Sequence, residues 1–232
     1  MSVHALITAA GHSVRFGGTT VKQYAHMMGS PVIAYSIEAL RRHEAVESVT
    51  VALASDDGIF EELIRPQYPE VMTTLGGDSR AQTVMNGLDF ISKNKPDCEW
   101  VLVHDAARPC LSMAELARLL DEGLQSESGA ILAYPVSDTL KVAGEDQRIE
   151  STVDRSRYWG AQTPQLFRLD ELSANLRAAL DAGESPTDEA AAMERAGLRP
   201  LLVTGSTTNI KITGSEDLGM AEYILQQQMF DD

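Results

Sequence analysis

Two cations, Arg15 and Lys22, follow a short apolar run in "ITAAGHSVRFGGTTVKQY", with a glycine-rich turn around them. Small residues such as Ala9, Ala10 and Gly11 let backbone N–H groups approach a base or a phosphate closely. A dinucleotide fingerprint would need G-x-G-x-x-G after the first strand. Ser13 and Phe16 stand at its second and third glycine places, and the second strand run, "SVTVALA", does not itself end on an acidic residue to hold a ribose. A triphosphate-hydrolysing loop would need Gly-Lys-Ser/Thr where Phe16, Gly17 and Gly18 lie. Both templates fail, which leaves a loop suited to nucleotidyl transfer.

Three further segments carry matching chemistry. "GGDSRAQTV" lies between a strand and a helix and puts Gly77, Asp78 and Arg80 at a strand's carboxyl end. "VHDAARP" does the same for Asp105, Ala106 and Arg108, and "TGSTTNIKIT" places Lys211 within a late strand. Ligands of open α/β sheets bind outside the carboxyl ends of the strands, so these segments are expected to meet the first loop.

The elements that must position them are legible as hydrophobic patterns. Runs from Val3, Ser48, Val71, Glu99 and Gly129 are apolar without alternation, as in parallel strands buried on both faces. Between them, "SPVIAYSIEALRR" predicts a helix with Ser30 as N-cap, Pro31 at its first position and Ile33, Ile37 and Leu40 on one face. Ser112 and Glu115 form a capping-box signature, and Gly197 fits the end of a helix begun at "SPTDEA". The reading is an α/β fold: a three-layer α/β/α sandwich around a Rossmann-like, mostly parallel sheet, as one domain spanning residues 1–232. From about 136 to 159 the chain turns polar and β-prone, with "AGEDQ" as a turn, which predicts a projecting β-arm, either a plain surface hairpin or an arm that embraces a second subunit in dimerisation.

A net charge of −15 opposes a nucleic-acid partner. It also means that a polyanionic ligand needs cations gathered at one place. No apolar run approaches the roughly 18 residues of a membrane span, and the N-terminus lacks the basic start of a secretory signal. Two cysteines, Cys98 and Cys110, fit neither a disulfide framework nor a zinc site, so a reduced cytoplasm is expected.

"AAG…R…KQY", "GGDSR", "VHDAARP", "DT", "TVDR", "QTPQ", "TDEA" and "NIK" occur in this order along nearly the whole chain. Together they resemble the 2-C-methyl-D-erythritol 4-phosphate cytidylyltransferase family of the non-mevalonate isoprenoid pathway. The resemblance implies a homodimer that transfers CMP from CTP to a polyol phosphate, releases pyrophosphate and needs Mg²⁺. It implies that Arg15 and Lys22 hold the triphosphate and, with Lys211, are catalytic. Ala9, Ala10, Gly11, Gly77, Asp78, Arg80, Thr83, Asp105 and Ala106 would complete the CTP site. Asp105, Arg108, Thr139, Arg155, Thr163, Thr187 and Lys211 would serve the polyol phosphate, with Thr139, Arg155 and Arg108 working across the dimer. Asp105 would hold a sugar hydroxyl or help to place Mg²⁺, and Thr187 would also suit a helix cap.

Arg15, Lys22, Arg80, Arg108, Arg155 and Lys211 are six of only nineteen basic residues. The sequence departs from the family at Ser13, where glycine is usual, and at Val21, where proline is usual. Losing that proline predicts a more mobile segment before Lys22 when the site is empty. Two rival readings are a cytidylyltransferase for another polyol phosphate, such as ribitol 5-phosphate, and a silent scaffold on the same fold.

Overall fold

The computed structural model describes residues 1–11 and 21–231, so Ser13, Arg15 and the rest of the glycine loop lie outside it. The first strand, β1 (Val3–Ala9), leads to a 3-10 turn at Lys22–Tyr24 and a short antiparallel pair, β2 (His26–Met27) and β3 (Ser30–Pro31). There follow α1 (Val32–Arg41), β4 (Val46–Leu53), α2 (Ile59–Leu63), β5 (Met72–Leu75), α3 (Arg80–Asn94), β6 (Trp100–Asp105), α4 (Met113–Gly123) and β7 (Ala130–Pro135). A hairpin of β8 (Lys141–Ala143) and β9 (Ile149–Thr152) precedes β10 (Trp159–Arg168). The chain finishes with α5 (Leu169–Asp181), α6 (Glu189–Arg195), β11 (Leu201–Thr204) and α7 (Glu216–Asp231).

Seven strands form one sheet in the order β11-β7-β10-β6-β1-β4-β5, parallel except for β10, which runs against both neighbours. The apolar runs lack alternation because both faces are covered. Along β1, Ala5, Ile7 and Ala9 pack toward α1, α2 and α4, whereas Leu6 packs toward α3 and α5. Trp100 and Leu102 of β6 join the first layer, Val101 and Val103 the second. The expected three layers are therefore present. A third apolar cluster seats α7 over Met27, Val32 and Ala107.

Several local expectations change. Pro31 is the N-cap of α1, and Ser30 instead pairs with Met27 in the small β2–β3 ladder, so the helix starts one residue later than expected. The faces agree, with Ile33, Ile37 and Leu40 fully buried. The Ser112–Glu115 capping box forms in full, and Gly197 follows α6 at φ 82°, the left-handed value that suits glycine. Asp188 caps α6, its side chain accepting from the Ala191 N–H, so Thr187 does not. Two strands of the seven-stranded sheet went unread, β10, whose middle is "QTP", and the short edge strand β11, as did the small β2–β3 pair. Lys211 lies in coil, not in a strand, because Ile212 N–H donates to the Ala107 carbonyl (2.8 Å) and pins that segment to the loop after β6.

In the 136–159 segment, β8 and β9 form their own two-stranded sheet and every residue of both is exposed. Cys98 and Cys110 are free and buried, and burial pushes both thiols up to about 12. Among the described residues no helix is long and apolar enough to cross a membrane.

Candidate active site

At the carboxyl ends of β1, β5 and β6 lies a cleft of about 630 Å³, within the usual size of a small-molecule site (about 300–1,000 Å³). Its wall includes Ala9, Ala10 and Gly11 after β1, Gly77, Asp78, Arg80 and Thr83 around the start of α3, and Asp105 and Ala106 after β6. Lys22 and Lys211 line it as well. Every described residue that the sequence assigned to CTP thus faces one cavity; Arg15 lies outside the described residues.

The loops are shaped by close backbone approach. A Cβ on Gly76 would sit 2.4 Å from the Ala10 Cβ, so only glycine lets the β5–α3 loop touch the end of β1. Ser79 caps α3 by accepting from the Gln82 N–H (3.1 Å). Thr83 accepts from the Gly77 N–H at 3.0 Å and donates back to its carbonyl at 3.2 Å. Its hydroxyl therefore folds the loop.

The electrostatic centre is Asp105, only 7% exposed. Lys211 Nζ is 2.7 Å from one carboxylate oxygen, Arg80 reaches the other from Nε (3.3 Å) and Nη2 (3.2 Å), and Arg108 Nε stands 4.0 Å away. Burial would raise this carboxyl, but the charges of Arg80, Lys211 and Arg108 outweigh it and hold Asp105 well below the usual carboxylate range. Arg80 also forks onto Glu189, at 2.6 and 3.1 Å. Complete burial pushes the Glu189 carboxyl up, and Arg80 opposes the rise. The pairs leave Arg80 held more firmly protonated than a free guanidinium, despite its own burial.

Beneath Asp105 runs a buried chain of hydrogen bonds. Asp105 N–H donates to the Thr163 hydroxyl (3.1 Å), which contacts His104 Nδ1 (2.9 Å), and His104 Nε2 contacts the Arg108 carbonyl (3.0 Å). A carbonyl only accepts, so Nε2 carries the imidazole proton and Nδ1 accepts from Thr163. Burial lowers His104 to about 4, which keeps the ring neutral at pH 7. The Thr163 hydroxyl is thereby occupied on both sides and does not line the cleft. Asn209 donates to the Thr163 carbonyl, and Gln162 donates to the Ser206 and Asn209 carbonyls. Gln165 takes the Ala190 N–H and donates to Asp188, fixing the start of α6 to β10.

Of the residues assigned to the polyol phosphate, Asp105, Arg108 and Lys211 converge. Arg108 donates to the Asn209 carbonyl through Nη1 (2.7 Å), while its buried Nε makes no hydrogen bond. Thr139, Arg155 and Thr187 are exposed and do not line the cleft. Sequence reasoning missed Glu189, Gln23 and Gln165, although they stand inside "TDEA", "KQY" and "QTPQ". Their place inside those motifs marked the segments, but nothing in the linear pattern says that these three side chains turn inward.

Among the described residues no group of three or more histidine, cysteine or acidic side chains is placed to hold a metal ion. Asp78 and Asp105 are the carboxylates on the cleft wall.

The model of the family described as 2-C-methyl-D-erythritol 4-phosphate cytidylyltransferase matches residues 3–227. A relative with that name from Tolumonas auensis is 44% identical over 224 residues, 97% of this chain and 96% of the relative. One from Xanthomonas campestris pv. campestris (strain 8004) is 47% identical over 224 residues, covering 97% of this chain and 84% of the relative. A crystal structure described as 4-diphosphocytidyl-2C-methyl-D-erythritol synthase superposes with a TM-score of 0.83 at 38% identity, covering 97% of this chain and 98% of its own.

Proposed function

We propose, from the premise that this chain belongs to the 2-C-methyl-D-erythritol 4-phosphate cytidylyltransferase family, that it transfers CMP from CTP to 2-C-methyl-D-erythritol 4-phosphate and releases pyrophosphate. The observation that carries the assignment of the site is the cleft itself. It gathers Ala9, Gly11, Lys22, Gly77, Arg80, Asp105 and Lys211 from loops distant in sequence.

The reaction is an in-line displacement at the α-phosphorus. A phosphomonoester has a second pKa of about 6, so its oxygen is already an anion at neutral pH and needs no general base. This agrees with a neutral, fully engaged His104. The protein's work is to orient two anions and offset charge that builds in the transition state. In this reading Lys22, with Arg15, holds the triphosphate and meets the charge developing at the α-phosphorus. The small residues Ala9, Ala10, Gly11, Gly77 and Ala106, with Asp78, form the wall against the nucleoside, and Thr83 shapes the loop that bears Gly77.

Asp105 holds Lys211 at the cleft wall on the polyol side, and Arg108, 4.0 Å from the same carboxylate, adds its charge there. Thr163 positions Asp105 from below, Thr187 serves the polyol phosphate from the same subunit, and exposed Thr139 and Arg155 reach it when a second subunit completes the site. Magnesium favours octahedral oxygen ligands and commonly takes one or two carboxylates plus substrate phosphates. Asp78 has that donor chemistry, whereas Asp105, its oxygens facing Lys211 and Arg80, would act on the ion only indirectly; Mg²⁺ would supply further positive charge when carried in on the triphosphate. The chain acts as one nucleotidyltransferase unit, a homodimer through the 136–159 hairpin, in a reducing cytoplasm that suits its two buried thiols.

Pyrophosphate release from CTP with a panel of polyol phosphates tests the reading. Turnover is expected with methylerythritol phosphate. Turnover only with ribitol phosphate would reassign the acceptor, and turnover with none would favour the silent scaffold.

A further inference from the structure

Lys22 opens a 3-10 turn of only three residues, Lys22–Tyr24. Its two successors are both buried and both anchored at a distance. Gln23 donates through Nε2 to the Ala9 carbonyl at 2.7 Å, which ties the turn to the end of β1. Tyr24 donates its hydroxyl to Asp57 Oδ2 at 2.6 Å, across to the loop that follows β4. The other Asp57 oxygen accepts from the Ile59 and Phe60 N–H groups, both at 3.0 Å, and so is fixed by the first turn of α2. Between β4 and Asp57, Ala54 and Ser55 line the same cleft as Lys22, and Asp57 N–H donates to the Ala54 carbonyl at 3.1 Å.

We infer that the Tyr24–Asp57 hydrogen bond is a positioning latch for Lys22: it fixes the turn that carries the lysine against the cleft wall, so that the ammonium meets the α-phosphate without searching for it. Burial and the neighbouring Asp57 carboxylate hold the Tyr24 phenol well above its ordinary pKa, so it stays a donor across the working pH range. Neither Tyr24 nor Asp57 lines the cleft, so neither is a catalytic residue. The inference rests on the role proposed above for Lys22.

A double-mutant cycle with Tyr24→Phe and Lys22→Ala separates the possibilities. Tyr24→Phe keeps the ring in the core and removes only the donor. It is expected to lower kcat about tenfold with KM for CTP changed less than twofold, the pattern of a contact made chiefly in the transition state. Lys22→Ala alone is expected to lose at least about a hundredfold in kcat. In the Lys22→Ala background, Tyr24→Phe should then cost nothing more. An equal tenfold loss in both backgrounds would mean that Tyr24 acts through stability alone and would overturn the latch. Near-normal turnover of Lys22→Ala would instead remove the lysine's role, and the latch with it. Circular dichroism and thermal melts of each variant confirm that folded protein is being compared.

Discussion

At the scale of single residues, much of what looked like ligand chemistry is spent within the protein. Thr163, Thr83, Gln162, Gln165 and Asn209 all lie in or beside recognisable motifs, yet the hydroxyls of the threonines, the Gln165 amide and the amide N–H groups of Gln162 and Asn209 bond to neighbouring loops. Their work is to hold Asp105, Gly77 and α6 in place. His104 is the clearest case, and it carries a measurable cost. Burial lowers its pKa in the folded chain to about 4, against about 6.5 for an ordinary histidine, so the unfolded chain takes up a proton between those values and the folded chain does not. The contribution of neutral His104 to stability is complete above about pH 6.5 and is lost as the pH falls through 4, at up to about 1.4 kcal/mol per pH unit. Thermal midpoints measured from pH 8 to 4 should be level at first and fall below pH 6.5. His104→Asn should melt lower at pH 7 and show a shallower slope from pH 6.5 to 5. An unchanged slope would assign the titration to another group.

At the scale of elements, two loops are expected to respond in opposite directions. Gly76→Ala would press a methyl into Ala10 and the Thr83 side chain, parting the β5–α3 loop from the end of β1. KM for CTP should rise at least about tenfold, with a small change in melting temperature; an unchanged KM would show that the two loops need not touch. Val21 already has φ −72° and ψ 131°, backbone values that proline imposes or tolerates. The expected mobility before Lys22 is therefore not built into a misfitting backbone. Val21→Pro should stabilise the protein by about 0.4–1 kcal/mol by restricting the unfolded chain, read as a raised urea midpoint. Strands β1 and β4 to β7 were legible because burial on both faces makes their sequences continuously apolar. Strand β10 was not, since its buried middle carries the polar residues Gln162, Thr163 and Gln165, which hydrogen-bond inside the protein and break the apolar pattern. Lys211 was misassigned to a strand because "NIKIT" alternates like one, while its backbone is held by a loop. The cleft was readable as a set of strand ends. Its carboxylate partner Glu189 was hidden, because nothing in a linear pattern says that a charge at a helix start turns inward.

For the whole molecule, the open question of assembly falls on the exposed β8–β9 hairpin. Val153 N–H already donates to the Leu140 carbonyl (3.2 Å), so an Asn-Gly turn can replace residues 141–152 without disturbing the hairpin's base. Light scattering should then report half the mass of the parent protein, and KM should rise for the polyol phosphate more than for CTP. A parent and a variant of equal mass would place any dimer contact elsewhere. The antiparallel course of β10 gives this hairpin its freedom. Trp159 pairs with Pro135, and Val136 N–H donates to the Tyr158 carbonyl at 3.0 Å, so the chain re-enters the sheet at the spot where it left. A parallel successor to β7 would have obliged the chain to travel back along the sheet first, through a helix of matched length. Here the excursion is a parenthesis: it can lengthen, shorten or change its wording, and the sentence around it still parses.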